Sequence, residues 1–395
     1  MTREEIKQEV ISLSSNQLLL ELGTGTGKSR MAIEKIKSWS NNKKKTLLIV
    51  VPRNVLKENW KAEIKKWWIH CSLDITYTTY VSLPKYKGKW DYVIMDECHH
   101  LSERCRKALN DFSISYIILL SATVNKNLKE EFKKLFPSLY IYKKSLREVI
   151  DNNILPDPKV FLWPLELDNT KNTEVIWFNK NTKGPVKECT WIQRWQYVKQ
   201  FPNNPIKVKC TEKQYIIRIN DNIDFWKKRY LTRRQEIAKN KWLKLCGERL
   251  KWLSDKKLKY VFQLLSVLKN HRTLTFCNNI EQTELLGKYC INSKNKNSMY
   301  NLDLFNRGKI KHITACNILN EGMNITNCRI GIYANLNSSE TIVKQRLGRV
   351  LRHKNPIVIV PFFKNTRDEE LKNKMLEDYN PELITVMETI KELVI

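Results

Sequence analysis

The segment Leu22-Gly23-Thr24-Gly25-Thr26-Gly27-Lys28-Ser29 constrains this chain more than any other. It follows the apolar run Gln17 to Leu22 and opens a stretch with helical spacing. The chain must therefore leave a buried strand through a glycine turn and enter a helix. Glycines in that turn let the backbone wind tightly enough for several amide N–H groups to face one anion. The helix N-terminus adds favourable partial charge. In a phosphate-binding loop of this kind Gly25, Thr26 and Gly27 shape the cradle, Lys28 reaches the β- and γ-phosphates, and the Ser29 hydroxyl holds Mg²⁺. The strict pattern has glycine where this chain has Leu22.

The loop sits in a repeating pattern of short apolar runs and helical stretches. Gln17 to Leu22, Thr46 to Val51, Asp91 to Met95 and Tyr116 to Leu120 read as strands buried on both faces. After residue 255 the pattern returns, with strands at Leu274 to Cys277, His312 to Ala315, Ile330 to Tyr333 and Ile357 to Pro361. Helical candidates lie at Ile280 to Cys290 and Ser339 to Leu351. The fold class expected is α/β, with two parallel-sheet domains at 1–164 and 255–364 and a helical tail at 365–395. Residues 165–254 form a different middle region, ending in one long helix from Asp224 to Leu253.

Charge points the same way as the loop. The 395 residues carry a net charge of +29, which attracts polyanions and favours release of counterions from a nucleic-acid backbone. Between 180 and 259 there are 22 Lys or Arg against 7 Asp or Glu, and six of the twelve Trp fall between Trp177 and Trp252. Basic residues mixed with aromatics suit a surface that holds phosphates and stacks bases. The same tryptophans can instead pack a small core while the lysines face water. No run of about 18 apolar residues is present, so no membrane span is expected. The polar start Met1-Thr2-Arg3-Glu4-Glu5 gives no secretion signal, and the ten cysteines are expected to be reduced thiols in a cytoplasmic protein of a microbe or a virus-infected cell.

Asp96-Glu97-Cys98-His99 follows the apolar strand Tyr92-Val93-Ile94-Met95. Adjacent carboxylates at a strand end are costly unless they face a polar site. Beside a phosphate loop, Asp96 is placed to hold Mg²⁺ and Glu97 to orient and deprotonate an attacking water.

With these residues in place, the chain resembles the DExH helicases of superfamily 2. Gly25 to Ser29 matches their motif I and Asp96 to His99 their motif II. Val51-Pro52-Arg53 resembles motif Ia, and Thr79-Tyr80 with Ser82 resembles the strand-touching segment before motif II. Ser121-Ala122-Thr123 matches motif III, Thr275-Phe276-Cys277 motif IV and Asn320-Glu321-Gly322-Met323-Asn324 motif V. Gln345-Arg346-Leu347-Gly348-Arg349-Val350-Leu351-Arg352 matches motif VI. Asn320 and Asn324 stand where acidic residues are common. The His-His after the acidic pair and the opening of motif VI look most like the DNA-acting branch with phage UvsW-type and XPB-like enzymes.

The resemblance implies two tandem RecA-like domains flanking a basic, Trp-rich insertion or linker, with ATP and Mg²⁺ between them. Lys28, Ser29, Asp96 and Glu97 would come from the first domain, and Arg349 and Arg352 from the second as arginine fingers. Gln345 would contact nucleotide or water, His99 would link the domains, and Gln8, preceded by Arg3, is the candidate adenine reader. Pro52, Arg53, Thr79, Ser121, Thr123 and Gly322 would contact nucleic acid or couple it to ATP. The implied activity is ATP-dependent helicase or translocase action, on DNA in preference to RNA, in replication, recombination or repair, by a protein that can be monomeric. An RNA helicase and an ATP-switched clamp without strand separation are the alternatives.

Overall fold

The computed structural model describes the chain apart from residues 24, 41–44, 69, 71, 317–324, 338 and 378, and the backbone alone at 340–342, 344 and 345. The first part of the chain alternates strand and helix. Helix α1 (Arg3–Ser12) is started by a capping box from Thr2 and Glu5. It is followed by β1 (Gln17–Leu22), α2 (Lys28–Trp39), β2 (Thr46–Val51), α3 (Val55–Trp67) and β3 (Asp74–Thr79). Then come β4 (Gly88–Met95), α4 (Glu103–Leu109), β5 (Phe112–Ser121), α5 (Lys126–Leu135), β6 (Tyr140–Lys144) and α6 (Leu146–Asp151). The strands form one six-stranded sheet in the order β3-β2-β4-β5-β1-β6, and its pairings are all parallel. Five of the six residues of β1 and of β2 are buried, as a sheet covered by helices on both faces requires.

The boundary expected at residue 164 falls in the wrong place. Strand β7 (Lys159–Leu165) leaves the first unit and lies within the second sheet, pairing in parallel with strands from the C-terminal third. Its apolar run satisfies any buried sheet position, and only the long-range pairing says which.

The middle region is a small module of its own. Strands β8 (Glu174–Phe178) and β9 (Lys187–Thr190), helix α7 (Arg194–Gln200) and strand β10 (Ile206–Cys210) precede two long helices. The three strands form a sheet in the order β8-β10-β9. One face closes a core of Ile176, Phe178, Cys189, Ile206, Val208 and Cys210, against which Trp191, Tyr197 and Phe201 pack. The single helix expected over 224–253 is instead a hairpin, α8 (Glu212–Arg233) and α9 (Glu236–Lys256). Arg234 breaks it by adopting a left-handed conformation, φ +50°. The two helices then run antiparallel, with Tyr215 against Trp252 and Tyr230 against Trp242 at ring separations of 5.0 and 6.1 Å. At its base Lys256 meets both Glu174 (2.5 Å) and Glu212 (2.8 Å), tying the hairpin to the sheet.

The last part restores the strand–helix alternation through α10 (Leu258–Val267), β11 (Thr273–Phe276), α11 (Ile280–Leu286), β12 (Cys290–Ile291), α12 (Ser298–Asn306) and β13 (His312–Ala315). It continues with β14 (Ile330–Tyr333), α13 (Glu340–Val350), β15 (Ile357–Phe363), α14 (Arg367–Leu376) and β16 (Ile384–Val386). The second sheet has seven strands in the order β12-β13-β11-β14-β15-β7-β16. The tail expected to be helical is helix and then strand, because β16 adds in parallel to β7. Lys257 and Asp368, both almost fully buried, pair at 2.9 Å and join the foot of the hairpin to α14.

Candidate active site

In the first sheet β4, β5 and β1 are neighbours, and all three end on the same side. The crevice at the C-terminal ends of parallel strands is where such sheets bind ligands. The three turns there carry Gly23, Gly25 to Gly27, Asp96-Glu97 and Ser121 to Thr123. The ends of β2 and β3 bring Pro52, Arg53 and Thr79 to the same edge. Thr79 is buried, its hydroxyl 3.4 Å from Ser82 Oγ, whereas Arg53 is exposed.

The glycine loop has the backbone its sequence requires. Gly25 and Gly27 have φ +92° and +95°, and α2 starts directly at Lys28. A Cβ on Gly25 would sit 3.4 Å from Leu155 Cδ2. Thr26 is buried and its hydroxyl donates to Gly23 O at 2.8 Å, locking the turn. Lys28 Nζ lies over the loop, donating to Leu22 O at 2.9 Å.

Asp96 and Glu97 are held from several sides. Asp96 N donates to Val50 O at 2.8 Å, and Asp96 Oδ2 accepts the indole N–H of Trp60 at 2.9 Å. The Tyr80 hydroxyl donates to Asp96 O at 2.8 Å. Burial first, and the Glu97 charge second, push the Asp96 carboxyl above its ordinary range, while Trp60 and Lys28 pull the other way. Glu97 has φ +49°, a conformation that costs a residue with a Cβ about 1–2 kcal/mol. Its Oε2 is buried without a hydrogen-bond partner, though His99 Nδ1 lies 3.4 Å away. His99 Nδ1 is also 3.1 Å from Ser121 Oγ, which donates to Thr123 O at 2.8 Å. A continuous polar path therefore runs from the acidic pair to the end of β5.

These features fit a nucleotide triphosphate with Mg²⁺. A buried carboxylate oxygen lacks a hydrogen-bond partner, two like charges adjoin with Lys28 acting against the build-up, and the loop beside them has the conformation of an anion cradle. Cys98, between the site residues, is fully buried. Gln8 is exposed on α1, its amide donating to Glu4 Oε1 at 3.4 Å, and Glu4 in turn faces Arg30 on α2.

The second sheet presents α13 beside β14. Arg349 on it is buried, and Arg352 just beyond it is exposed with Nη1 3.4 Å from Ile325 O. The Gln345 side chain and Gly322, with the rest of 317–324, lie outside the described residues. Sequence reasoning missed three contributors. Trp60 follows Leu56 and precedes Ile64 at spacings of four along α3, so it reads as a core residue. Glu21 is buried, accepts from Val124 N at 3.3 Å and pairs with Lys129, bracing the turn after β5. Arg346 is fully buried and its guanidinium caps the carbonyls of Asn335 (3.0 Å) and Cys277 (3.5 Å).

Two family profiles match the chain in series. Residues 2–82 and 74–126 match the res subunit of type III restriction enzymes, and residues 256–354 match the helicase conserved C-terminal domain. The "DNA 3'-5' translocase XPB2" of Sulfurisphaera tokodaii is 22% identical over 389 residues, 92% of this chain and 82% of the relative. The type I restriction enzyme EcoAI endonuclease subunit of Escherichia coli is 27% identical over 188 residues, 40% of this chain but only 23% of that subunit's length. Among solved structures, S. cerevisiae Dbp5 bound to RNA and ADP BeF3 superposes with a TM-score of 0.60 at 10% identity, covering 98% of this chain and 88% of that one. The two parallel-sheet units thus correspond to the tandem RecA-like domains of helicases. With the ordered motifs, the crevice geometry and the paired profiles in agreement, the chain belongs to superfamily 2 of the helicases.

Proposed function

We propose that this protein is an ATP-driven DNA translocase or helicase that remodels DNA in replication, recombination or repair. The observation that carries the reading is the buried Glu97 Oε2 beside Asp96, without a hydrogen bond of its own and linked through the His99 imidazole to Ser121. That arrangement suits hydrolysis linked to a second site, not nucleotide binding alone. The preference for DNA is supported by likeness along nearly the whole chain to a protein named as a DNA translocase.

In this reading Lys28 and the amides of Gly25, Thr26 and Gly27 bind the phosphates. Ser29 and Asp96 would hold Mg²⁺, which would supply positive charge to neutralise the phosphates. Glu97 takes the proton of the attacking water. Arg349 and Arg352 offset the charge that develops on the transferred group, a role that can be worth about 10³–10⁵ in rate. His99, Ser121 and Thr123 transmit the state of the site toward the strand-contacting edge at Pro52, Arg53 and Thr79.

The test is ATPase activity measured side by side with single-stranded DNA, duplex DNA and RNA, with Glu97→Gln as a variant that binds ATP without turning it over. DNA should stimulate most. Stimulation by RNA alone would reverse the assignment. Turnover without strand displacement or translocation on any substrate would leave an ATP-switched clamp.

A further inference from the structure

The three-stranded module lies between the regions matched by the two family profiles, and it carries an arrangement the ATP site does not use. Trp195, on α7, has half of its surface exposed although its ring packs edge-on against Phe178, at 5.5 Å. Two guanidinium groups bracket that indole. Arg194 lies 5.4 Å from the Trp195 ring and stacks 3.7 Å over Trp191. Arg218, from α8, lies 5.8 Å from the Trp195 ring and 4.6 Å over Phe178.

The charges are what need explaining. Among the described residues neither arginine has a carboxylate within ion-pair distance, and Arg194 Nε is buried without a partner. Asp221 is one turn further along α8 but outside that distance. Beyond burial, Asp221 favours the positive form of Arg218 and Arg194, repelling it, disfavours that form. Lysines on β10 of the same module behave differently, since Lys207 (2.8 Å) and Lys209 (3.5 Å) both pair with Glu188. Two like charges held close by stacking, with no carboxylate in ion-pair contact among the described residues, are stabilised by an external anion that accepts from both. Arg prefers phosphate for that purpose. Ile192, 87% exposed, lies one turn before Trp195 and extends the apolar surface next to the charges.

We infer that Arg194, Arg218 and Trp195 form a binding site for single-stranded nucleic acid, with a backbone phosphate on the two guanidinium groups and the adjoining base stacked on the Trp195 ring. A single strand is required because a duplex keeps its base faces buried in its own stack. The inference rests on the reading of this chain as a nucleic-acid motor, and places a second grip on the strand outside the parallel sheets.

The experiment compares equilibrium binding of a fluorescent oligothymidylate and of a blunt duplex by the full chain, across a salt series. The variants are Arg194→Gln/Arg218→Gln, Trp195→Ala, and the charge-matched surface control Lys309→Gln/Lys311→Gln, each checked for an unchanged melting temperature. The arginine pair should weaken single-strand binding about tenfold or more and flatten its salt slope by about 1.4, roughly 0.7 per phosphate-neutralising charge. Trp195→Ala should weaken the single strand about fivefold or more, in line with one lost stack, and leave the duplex within about twofold. The control should match wild type. Equal binding by all variants, or equal losses from the control, overturns the site. A loss confined to duplex, or one that inorganic polyphosphate reproduces with the same dependence on Trp195, overturns the single-strand assignment. Wild-type protein that binds no nucleic acid at all instead removes the underlying motor reading. If Arg194→Gln/Arg218→Gln melts early, Arg194→Lys/Arg218→Lys replaces it, and an unchanged affinity in that pair removes the requirement for the guanidinium fork.

Discussion

The indole N–H of Trp60 donates to Asp96 Oδ2 at 2.9 Å. One lone pair of the carboxylate proposed to hold Mg²⁺ is thereby fixed by a residue on α3 that is itself only 2% exposed. Outer-shell hydrogen bonds of this sort set the orientation of a metal-holding group, and losing one typically costs 10–100-fold in affinity or activity. Trp60→Phe keeps a ring in the pocket and removes only the donor. The ATPase rate of this variant, titrated against Mg²⁺, should show a half-saturating concentration about tenfold higher. An unchanged Mg²⁺ dependence would assign Trp60 to packing alone.

His99 Nδ1 stands 3.4 Å from Glu97 Oε2 and 3.1 Å from Ser121 Oγ, so one imidazole nitrogen serves both neighbours. Residues acting through a shared contact are not additive, and their coupling is commonly about 0.5–3 kcal/mol. His99→Ala and Ser121→Ala should each reduce the stimulation of ATPase by nucleic acid, and the double variant should lose little more than the worse single. Losses that multiply would show two independent roles.

The eight strands expected from apolar runs are all present, displaced by no more than a few residues at their ends. Strands buried on both faces read as unbroken apolar segments, so they announce themselves. Outside the middle module, those passed over are edges or have their partners far away. Strand β3, Asp-Ile-Thr-Tyr-Thr-Thr, and β6, Tyr-Ile-Tyr-Lys-Lys, close the two sides of the first sheet, and polar or lysine-bearing residues are what an edge tolerates. Strand β7 looked like any buried strand, but its partners begin at Ile357. The break between α8 and α9 had neither glycine nor proline to mark it. Motif residues were legible because phosphate and water chemistry need particular side chains at fixed spacing. Trp60 was not, since its contact with Asp96 crosses 36 residues of sequence.

Lys257 and Asp368 are 1% and 2% exposed and lie 2.9 Å apart. Asp368 also receives Phe363 N at 3.4 Å, so a single carboxylate anchors β15 and the foot of the helical hairpin together. Removing one member of such a pair strands the other charge in the interior, a loss of about 3–5 kcal/mol. Lys257→Met should therefore unfold the second domain at a markedly lower urea concentration. Lys257→Met/Asp368→Asn should recover part of that loss, because no uncompensated charge remains. A double variant weaker than the single would mean that the lysine matters through its aliphatic stem.

His312, on β13, contributes a pH dependence whose sign is set by burial. Its Nε2 lies 3.1 Å from Thr275 Oγ1, and burial alone pulls its pKa from 6.5 down to about 4. The folded protein thus holds the ring neutral while the unfolded chain protonates it near 6.5. The associated stability is fully present above pH 6.5. It falls as pH drops through the window from 6.5 to 4, and the loss levels off below 4, where both states carry the proton. The limiting size is on the order of 3 kcal/mol, at 1.36 kcal/mol per unit over a shift from 6.5 to about 4. Replacing the ring with the uncharged amide of His312→Gln removes the titration while leaving a group able to meet Thr275. Urea midpoints taken at pH 7 and pH 4.5 should therefore separate more in the wild type than in His312→Gln. Parallel losses in the two proteins would shift the acid sensitivity to other groups and show that the imidazole is solvated in the native state.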